Sequence, residues 1–185
     1  SDLMSLYENY PREVFLGNIN LIGTSDTERI LTVLDGNIRC LKIIVALQFT
    51  IPGVPLIYYG DETGVTGGKD PDNRKSYPWE NEDVDLIGFY KRIAQIRNGQ
   101  DALKKGDFNI FDTEEDIFAF ERVYENERIV VVVNVSNAQK VVRGITLEGT
   151  YLDLFNEGEK YKFVGYESVL IMYPCSFKIL RKINK

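Results

Sequence analysis

Near Gly106 the hydrophobic period of this chain changes, so no single layer architecture suits both halves. Before that point apolar runs alternate with helical patterns. Residues 14–22 read as a strand, and residues 37–49 place Ile38, Leu41, Ile44, Val45 and Leu47 at helical spacings until Pro52-Gly53 stops the helix. Residues 54–59 are almost wholly apolar, as in a strand buried on both faces of a parallel sheet. A long polar loop follows. Residues 84–97 then set Leu86, Phe89, Tyr90, Ile93 and Ile96 on one helical stripe, ended by Asn98-Gly99. After Gly106 the pattern becomes short β-rich runs between polar turns, at residues 108–111, 117–123, 128–135, 140–143, 169–173 and 177–180. Residues 125–127 read as a hairpin loop and residues 129–133 as the most buried strand. The expected class is α/β plus all-β. Residues 1–100 form a βαβα piece, residues 101–106 a linker, and residues 107–185 an antiparallel β-sandwich able to fold by itself. Residues 178–185 read as a solvated basic end.

Two parallel strands leave open edges and uncovered apolar faces, so the first half reads as about one quarter of a larger parallel-stranded fold. Its long polar loop follows the second strand at the carboxyl end, where α/β barrels carry their sites. The charge balance narrows the function. With 22 Lys and Arg against 28 Asp and Glu the formal charge is −6, which disfavours nucleic acid and anionic membranes as partners. There is no histidine, so a Ser-His-Asp site or a His-bearing zinc site cannot be built from this chain, and chemistry falls to carboxylates, Tyr, Lys or Arg. Cys40 and Cys175 lack metal or redox spacing and read as buried, reduced thiols. No apolar stretch is long enough for a membrane span and no leader opens the chain, which favours a cytoplasmic location. Asp70, Asp72 and Asn73 resemble the start of a calcium loop, but the Gly and the distal acid are missing, so neither a metal nor any other cofactor is expected.

Four segments carry a family resemblance. They are Leu6-Tyr7-Glu8-Asn9-Tyr10-Pro11; Asn20-Leu21-Ile22-Gly23-Thr24-Ser25-Asp26-Thr27-Glu28-Arg29; Pro52-Gly53-Val54-Pro55-Leu56-Ile57-Tyr58-Tyr59-Gly60-Asp61-Glu62; and Gly67-Gly68-Lys69-Asp70-Pro71-Asp72-Asn73-Arg74, closing on Pro78-Trp79. In order and spacing they resemble the α-amylase superfamily, and within it the neopullulanases, cyclomaltodextrinases and maltogenic amylases. The resemblance implies the C-terminal part of such an enzyme: residues 14–98 as the seventh and eighth βα units of an incomplete (β/α)8 TIM barrel, followed by the β-sandwich.

The activity it implies is that of a retaining α-glucan hydrolase or transglycosylase, with an α-glucan oligosaccharide as partner. The nucleophile and general acid belong to strands four and five, for which this chain has no counterpart, so the chain by itself is expected to be inactive. Asp26 matches the third acid, which stabilises the transition state. Its local string also fits a capping box between Ser25 and Glu28, and the two roles can coexist. Ser25 stands where the family usually has His, a shorter residue without the imidazole. Asp70 and Arg74 match positions that bind the next glucose, the alternative being a solvated turn with an ion pair. Trp79 could stack on sugar but is read as packing, as are Tyr58, Tyr59, Phe89 and Tyr90. The Asp61-Glu62 pair is read as structural. Exposed strand edges predict a homo-oligomer. A non-catalytic glucan-binding or protein-interaction module is the alternative from another class.

Overall fold

The computed structural model describes residues 5, 8–143, 145–156, 158–165 and 169–183. Leu6 and Tyr7, in the first of the resembling segments, lie outside them. The first half opens on helix α1 (Arg12–Gly17), strand β1 (Ile19–Leu21), the short helix α2 (Ile30–Val33) and helix α3 (Ile38–Thr50). Strand β2 (Val54–Leu56) and helix α4 (Val84–Gly99) complete it. The expected strand over residues 14–22 is therefore corrected. Pro11, with φ −53°, presets the first turn of α1, which turns Phe15 inward and leaves Val14 in solvent. The strand is confined to Ile19–Leu21, where β1 pairs β2 in parallel, Ile19 opposite Val54 and Leu21 opposite Leu56. The two long helices start where the sequence places them. The Asn37 side chain accepts from Cys40 N at 3.1 Å, and the Asp83 side chain from Leu86 N at 2.9 Å, satisfying backbone donors that a helix start leaves unpaired.

The second half is a sandwich of two antiparallel sheets. One has six strands in the order β3 (Asp107–Ile110), β4 (Ile117–Tyr124), β5 (Glu127–Asn134), β10 (Ser176–Ile183), β7 (Leu147–Asp153), β8 (Lys160–Gly165); the other pairs β6 (Lys140–Val142) with β9 (Leu170–Met172). Strands β7 and β8 are additions to the sequence reading. Gly149, at φ +100°, interrupts the pattern of β7, and the Lys-Tyr-Lys-Phe alternation of β8 is that of a charged edge strand. The solvated basic tail is also corrected: it is mostly β10, and Lys178 is buried against Asp153 at 3.5 Å and Glu159 at 3.4 Å. Tyr161 OH sits 2.6 Å from the Lys178 ammonium and, with the two carboxylates, holds it above the usual lysine range despite burial.

The period of β5 explains its composition. Val130 and Val132 face the small sheet, packing with Val142, Leu170, Met172 and Tyr151. Ile129, Val131 and Val133 face the other way, into a cluster with Phe108 and Phe120 that also takes in Leu41, Val45, Phe49, Phe89 and Ile93 from α3 and α4. A strand buried on both sides has no solvent face and so reads as an unbroken apolar run. The connecting segment is itself helical: α5 (Asp101–Lys105) inserts Ala102 and Leu103 into the same cluster. Arg122, fully buried on β4, donates to Gly106 O at 2.9 and 3.3 Å and to Thr50 O at 2.9 Å, tying the end of α3 to the sandwich. Arg122→Met keeps the apolar bulk but strands those two carbonyls, and should lower the unfolding free energy by about 2–5 kcal/mol. Urea titration checks this; a loss below about 1 kcal/mol would show that solvent reaches them.

Candidate active-site loops

The parallel pairing of β1 and β2 sends both carboxyl ends the same way, so the loops after them share one rim. Gln48 on α3 fixes the pair from behind, its amide nitrogen donating to Asn20 O at 3.0 Å and Leu56 O at 2.9 Å. The rim is organised around Arg29, fully buried just ahead of α2. Its guanidinium donates to Asn73 O at 2.7 Å, Tyr59 O at 2.5 Å and Asp61 Oδ1 at 3.2 Å, and lies 4.2 and 4.7 Å from the Tyr58 and Tyr59 ring centres. Asn73, also buried, returns the connection: its amide nitrogen donates to Ser25 O and Thr27 O, both at 2.8 Å, on either side of Asp26. Gly67 is required by close approach, because a Cβ there would stand 2.4 Å from Asp72 O, while its own carbonyl accepts from Arg29 N at 2.9 Å.

On this frame Ser25, Asp26, Asp70 and Arg74, singled out from the sequence, come together. Arg74 Nε lies 3.0 Å from Asp70 Oδ1 and 3.2 Å from Ser25 O, with Nη2 3.8 Å from Asp26 Oδ1. Ser25 Oγ donates to Asp26 Oδ1 at 3.3 Å, and the Asp26 side chain is 86% exposed. Solvent-exposed pairs of this kind contribute about 0–1 kcal/mol, so the loops are held by buried Arg29 and Asn73 and the outer charges stay available. The capping-box alternative is not formed: α2 begins after Arg29 with no side-chain cap, and Thr24 N donates instead to Thr27 Oγ1 at 3.1 Å. Two packing readings are also corrected. Trp79 is 74% exposed, its ring 4.5 Å from that of Tyr77, and Tyr59 is exposed although its hydroxyl donates to Lys75 O at 2.8 Å. Both lie in a rim that two strands alone do not roof. Phe89 and Tyr90 are buried as expected.

Asp61 and Glu62 serve the frame. Glu62 accepts from Gly60 N at 2.8 Å, and Asp61 is buried beside Arg29. Burial pushes the Asp61 carboxyl up to about 6, outweighing the pull of the guanidinium. A carboxyl raised in the fold contributes stability below its unfolded pKa of about 3.9, and that contribution is lost as pH rises through the folded value. Asp61→Asn stays neutral throughout. Relative to the parent chain it should therefore gain about 3 kcal/mol between roughly pH 4 and 7. Denaturant titrations across that range test it, and a pH-independent difference would contradict it. Arg29, Gly67 and Asn73 were not singled out from the sequence, although all three lie in the resembling segments. A charged residue directly ahead of the apolar Ile30-Leu31 was the one local signal for Arg29.

Acidic and guanidinium groups gathered beyond the carboxyl ends of parallel strands define a segment of the α/β class, in which ligands bind at that rim. Residues 2–102 match the family described as alpha amylase, catalytic domain, and the chain belongs to that family. It is 41% identical over 165 residues to an amylopullulanase of Thermoanaerobacter thermohydrosulfuricus, covering 75% of this chain and 11% of that protein. A cyclomaltodextrinase of Geobacillus thermopakistaniensis is 35% identical over 180 residues, covering 95% of this chain and 31% of the relative. Among solved structures, the maltogenic amylase from S. marinus superposes with a TM-score of 0.78 at 30% identity, covering 96% of this chain and 24% of that one. The chain thus spans between about a tenth and a third of these relatives.

Proposed function

We propose that this chain carries the Asp26 side of the cleavage site of a retaining α-glucan hydrolase or transglycosylase acting on starch-type oligosaccharides, cyclodextrin or pullulan. The observation that carries the reading is Arg74, paired with Asp70 and reaching toward exposed Asp26 at the carboxyl ends of β1 and β2. An ionised carboxylate only accepts hydrogen bonds, so Asp26 is suited to hold two sugar hydroxyls and to favour the positively charged, flattened ring of the transition state. Asp70 accepts and Arg74 donates, which lets the pair grip vicinal hydroxyls of the neighbouring glucose. Ser25 spends its hydroxyl on Asp26 and offers the sugar less than an imidazole would; a lost transition-state donor typically costs about 10²–10³ in rate.

Double displacement needs two more carboxyl groups about 5–5.5 Å apart, one as nucleophile and one as general acid. The family resemblance assigns these to strands four and five, so the 185 residues alone are expected to release no reducing sugar from maltooligosaccharides, cyclodextrin or pullulan. Release that disappears in Asp26→Asn would overturn the expected inactivity. Binding tests the site directly. Titration with maltotriose should shift amide resonances in residues 24–27 and 68–75 in the parent chain, and much less in Arg74→Ala. Shifts confined to residues 107–185 would favour the glucan-binding module instead.

A further inference from the structure

Where β7 turns into β8, the sandwich opens a cleft of about 480 Å3, within the range of about 300–1,000 Å3 usual for ligand sites. Glu159, Lys160 and Tyr161 line it from β8 and its approach, Ile171 and Tyr173 from β9 and the residue after it, and Lys178 from β10. Its polar groups are held in place by the fold. Asp153, fully buried, accepts from Phe155 N at 2.9 Å, Asn156 N at 3.1 Å and Asn156 Nδ2 at 3.0 Å, and stands 3.5 Å from the Lys178 ammonium. Lys178 donates to Tyr161 OH at 2.6 Å, which donates in turn to Glu159 Oε2 at 2.5 Å. Lys178 also reaches Glu159 through Oε2, and the Glu159 side chain is more than half exposed, so Oε1 keeps acceptor capacity for a ligand. The aromatic group is fixed as well. The Tyr173 carbonyl accepts from buried Asn134 Nδ2 at 2.9 Å and from Ser176 Oγ at 2.6 Å, while the residue is 65% exposed. Ile171, two residues earlier and outward on β9, is half-exposed. Asp153 and Glu159 balance Lys160 and Lys178, so the cleft and its base carry no net charge and an ion gains little by entering. A neutral ligand suits it better, one with hydroxyls at its edge and C–H groups on its faces. That is the chemistry of a pyranose sugar.

We propose that this cleft is a second α-glucan site, sharing no residue with the rim of Asp26 and Arg74, which binds a neutral oligosaccharide without cleaving it. A glucose ring lies against the exposed Tyr173 ring and releases water from both apolar faces. Its hydroxyls donate to Glu159 Oε1 and accept from the Lys160 ammonium. Because the network beneath is already formed, few side chains lose freedom on binding. The choice of α-glucan among neutral sugars rests on the cleavage chemistry proposed for the rim. A glucan long enough to touch both places would be held at the rim at a raised effective concentration.

The test titrates the intact 185-residue chain with maltotriose and follows amide resonances. Expected are saturable shifts in residues 159–161 and 170–173, beside those in residues 24–27 and 68–75. Arg74→Ala should remove the rim set alone. Tyr173→Ala should weaken the sandwich affinity about tenfold and spare the rim, whereas Tyr173→Phe, which keeps the ring, should change it less than about twofold. Inorganic phosphate should leave residues 159–161 and 170–173 unmoved. Shifts at the rim alone would overturn the second site and leave the rim reading standing; shifts in the sandwich alone would support the second site and count against the rim. Sandwich shifts that survive Tyr173→Ala unchanged, or that phosphate reproduces, would also overturn the proposal. The maltotriose and phosphate titrations of the parent chain decide the question even if a Tyr173 variant folds poorly.

Discussion

Residues 107–185, expressed without the helical half, are expected to collapse into a dye-binding, poorly dispersed state instead of a cooperative sandwich. The six-stranded sheet has two apolar faces, and the small sheet covers only one. The other holds Phe108, Phe120, Ile129, Val131, Val133 and Ile179, all fully buried under α3, α4 and α5 in the whole chain. Burial of such a side chain contributes about 1.5–3 kcal/mol, so uncovering the set forfeits on the order of 10 kcal/mol, comparable with the whole stability of a domain. The loss of Arg122's acceptor at Thr50 adds a buried cation with one partner fewer. This stands against the autonomy expected from strand periodicity. A sharp urea transition and a dispersed amide spectrum for residues 107–185 would restore that expectation.

At high concentration the whole chain is expected to self-associate through the outer face of β1 and β2. Ile19, Leu21, Val54 and Leu56 are 58, 49, 51 and 42% exposed, and the parallel register sets them as two cross-strand pairs on one face. The opposite face, with Asn20 and Gln48, is satisfied from within. An apolar face of this kind is worth about 25 cal/mol per Å2 once covered, before the cost of association, and a second copy offers the same surface through a two-fold axis. Light scattering should show the mass rising with concentration. The double substitution Ile19→Lys and Leu56→Glu, at exposed positions that are not direct partners, should return a monomer with its thermal midpoint nearly unchanged. A parent chain that stays monomeric and binds no hydrophobic dye would refute this.

Local information carried more of the candidate site than of the frame. Ser25, Asp26, Asp70 and Arg74 could be nominated because two short segments hold them at family spacing, and the structure brings them together. Arg29 and Asn73 act through backbone carbonyls of the other loop, and no sequence distance encodes those partners. Likewise α1 resembled a strand because Val14, Phe15 and Leu16 are apolar in a row; the choice turned on Pro11 and on which residue could reach the interior. Strand β8 was missed because an edge strand alternates with lysine and shows little net hydrophobicity.

The sequence by itself determined the change of period near Gly106, the two long helices, the runs that form β3, β4, β5, β6, β9 and β10, and the restriction of chemistry to carboxylates, Tyr, Lys or Arg in a chain without histidine. These follow from torsional preference, capping and local periodicity, which act within a few residues. Tertiary structure alone decided that β5 is buried on both faces, that the two halves share one apolar cluster through α5, and that Asn73 holds the carbonyls beside Asp26. Each of these depends on what lies opposite a side chain across the fold. Packing and desolvation set that partner over long sequence separations, and a local pattern leaves it open.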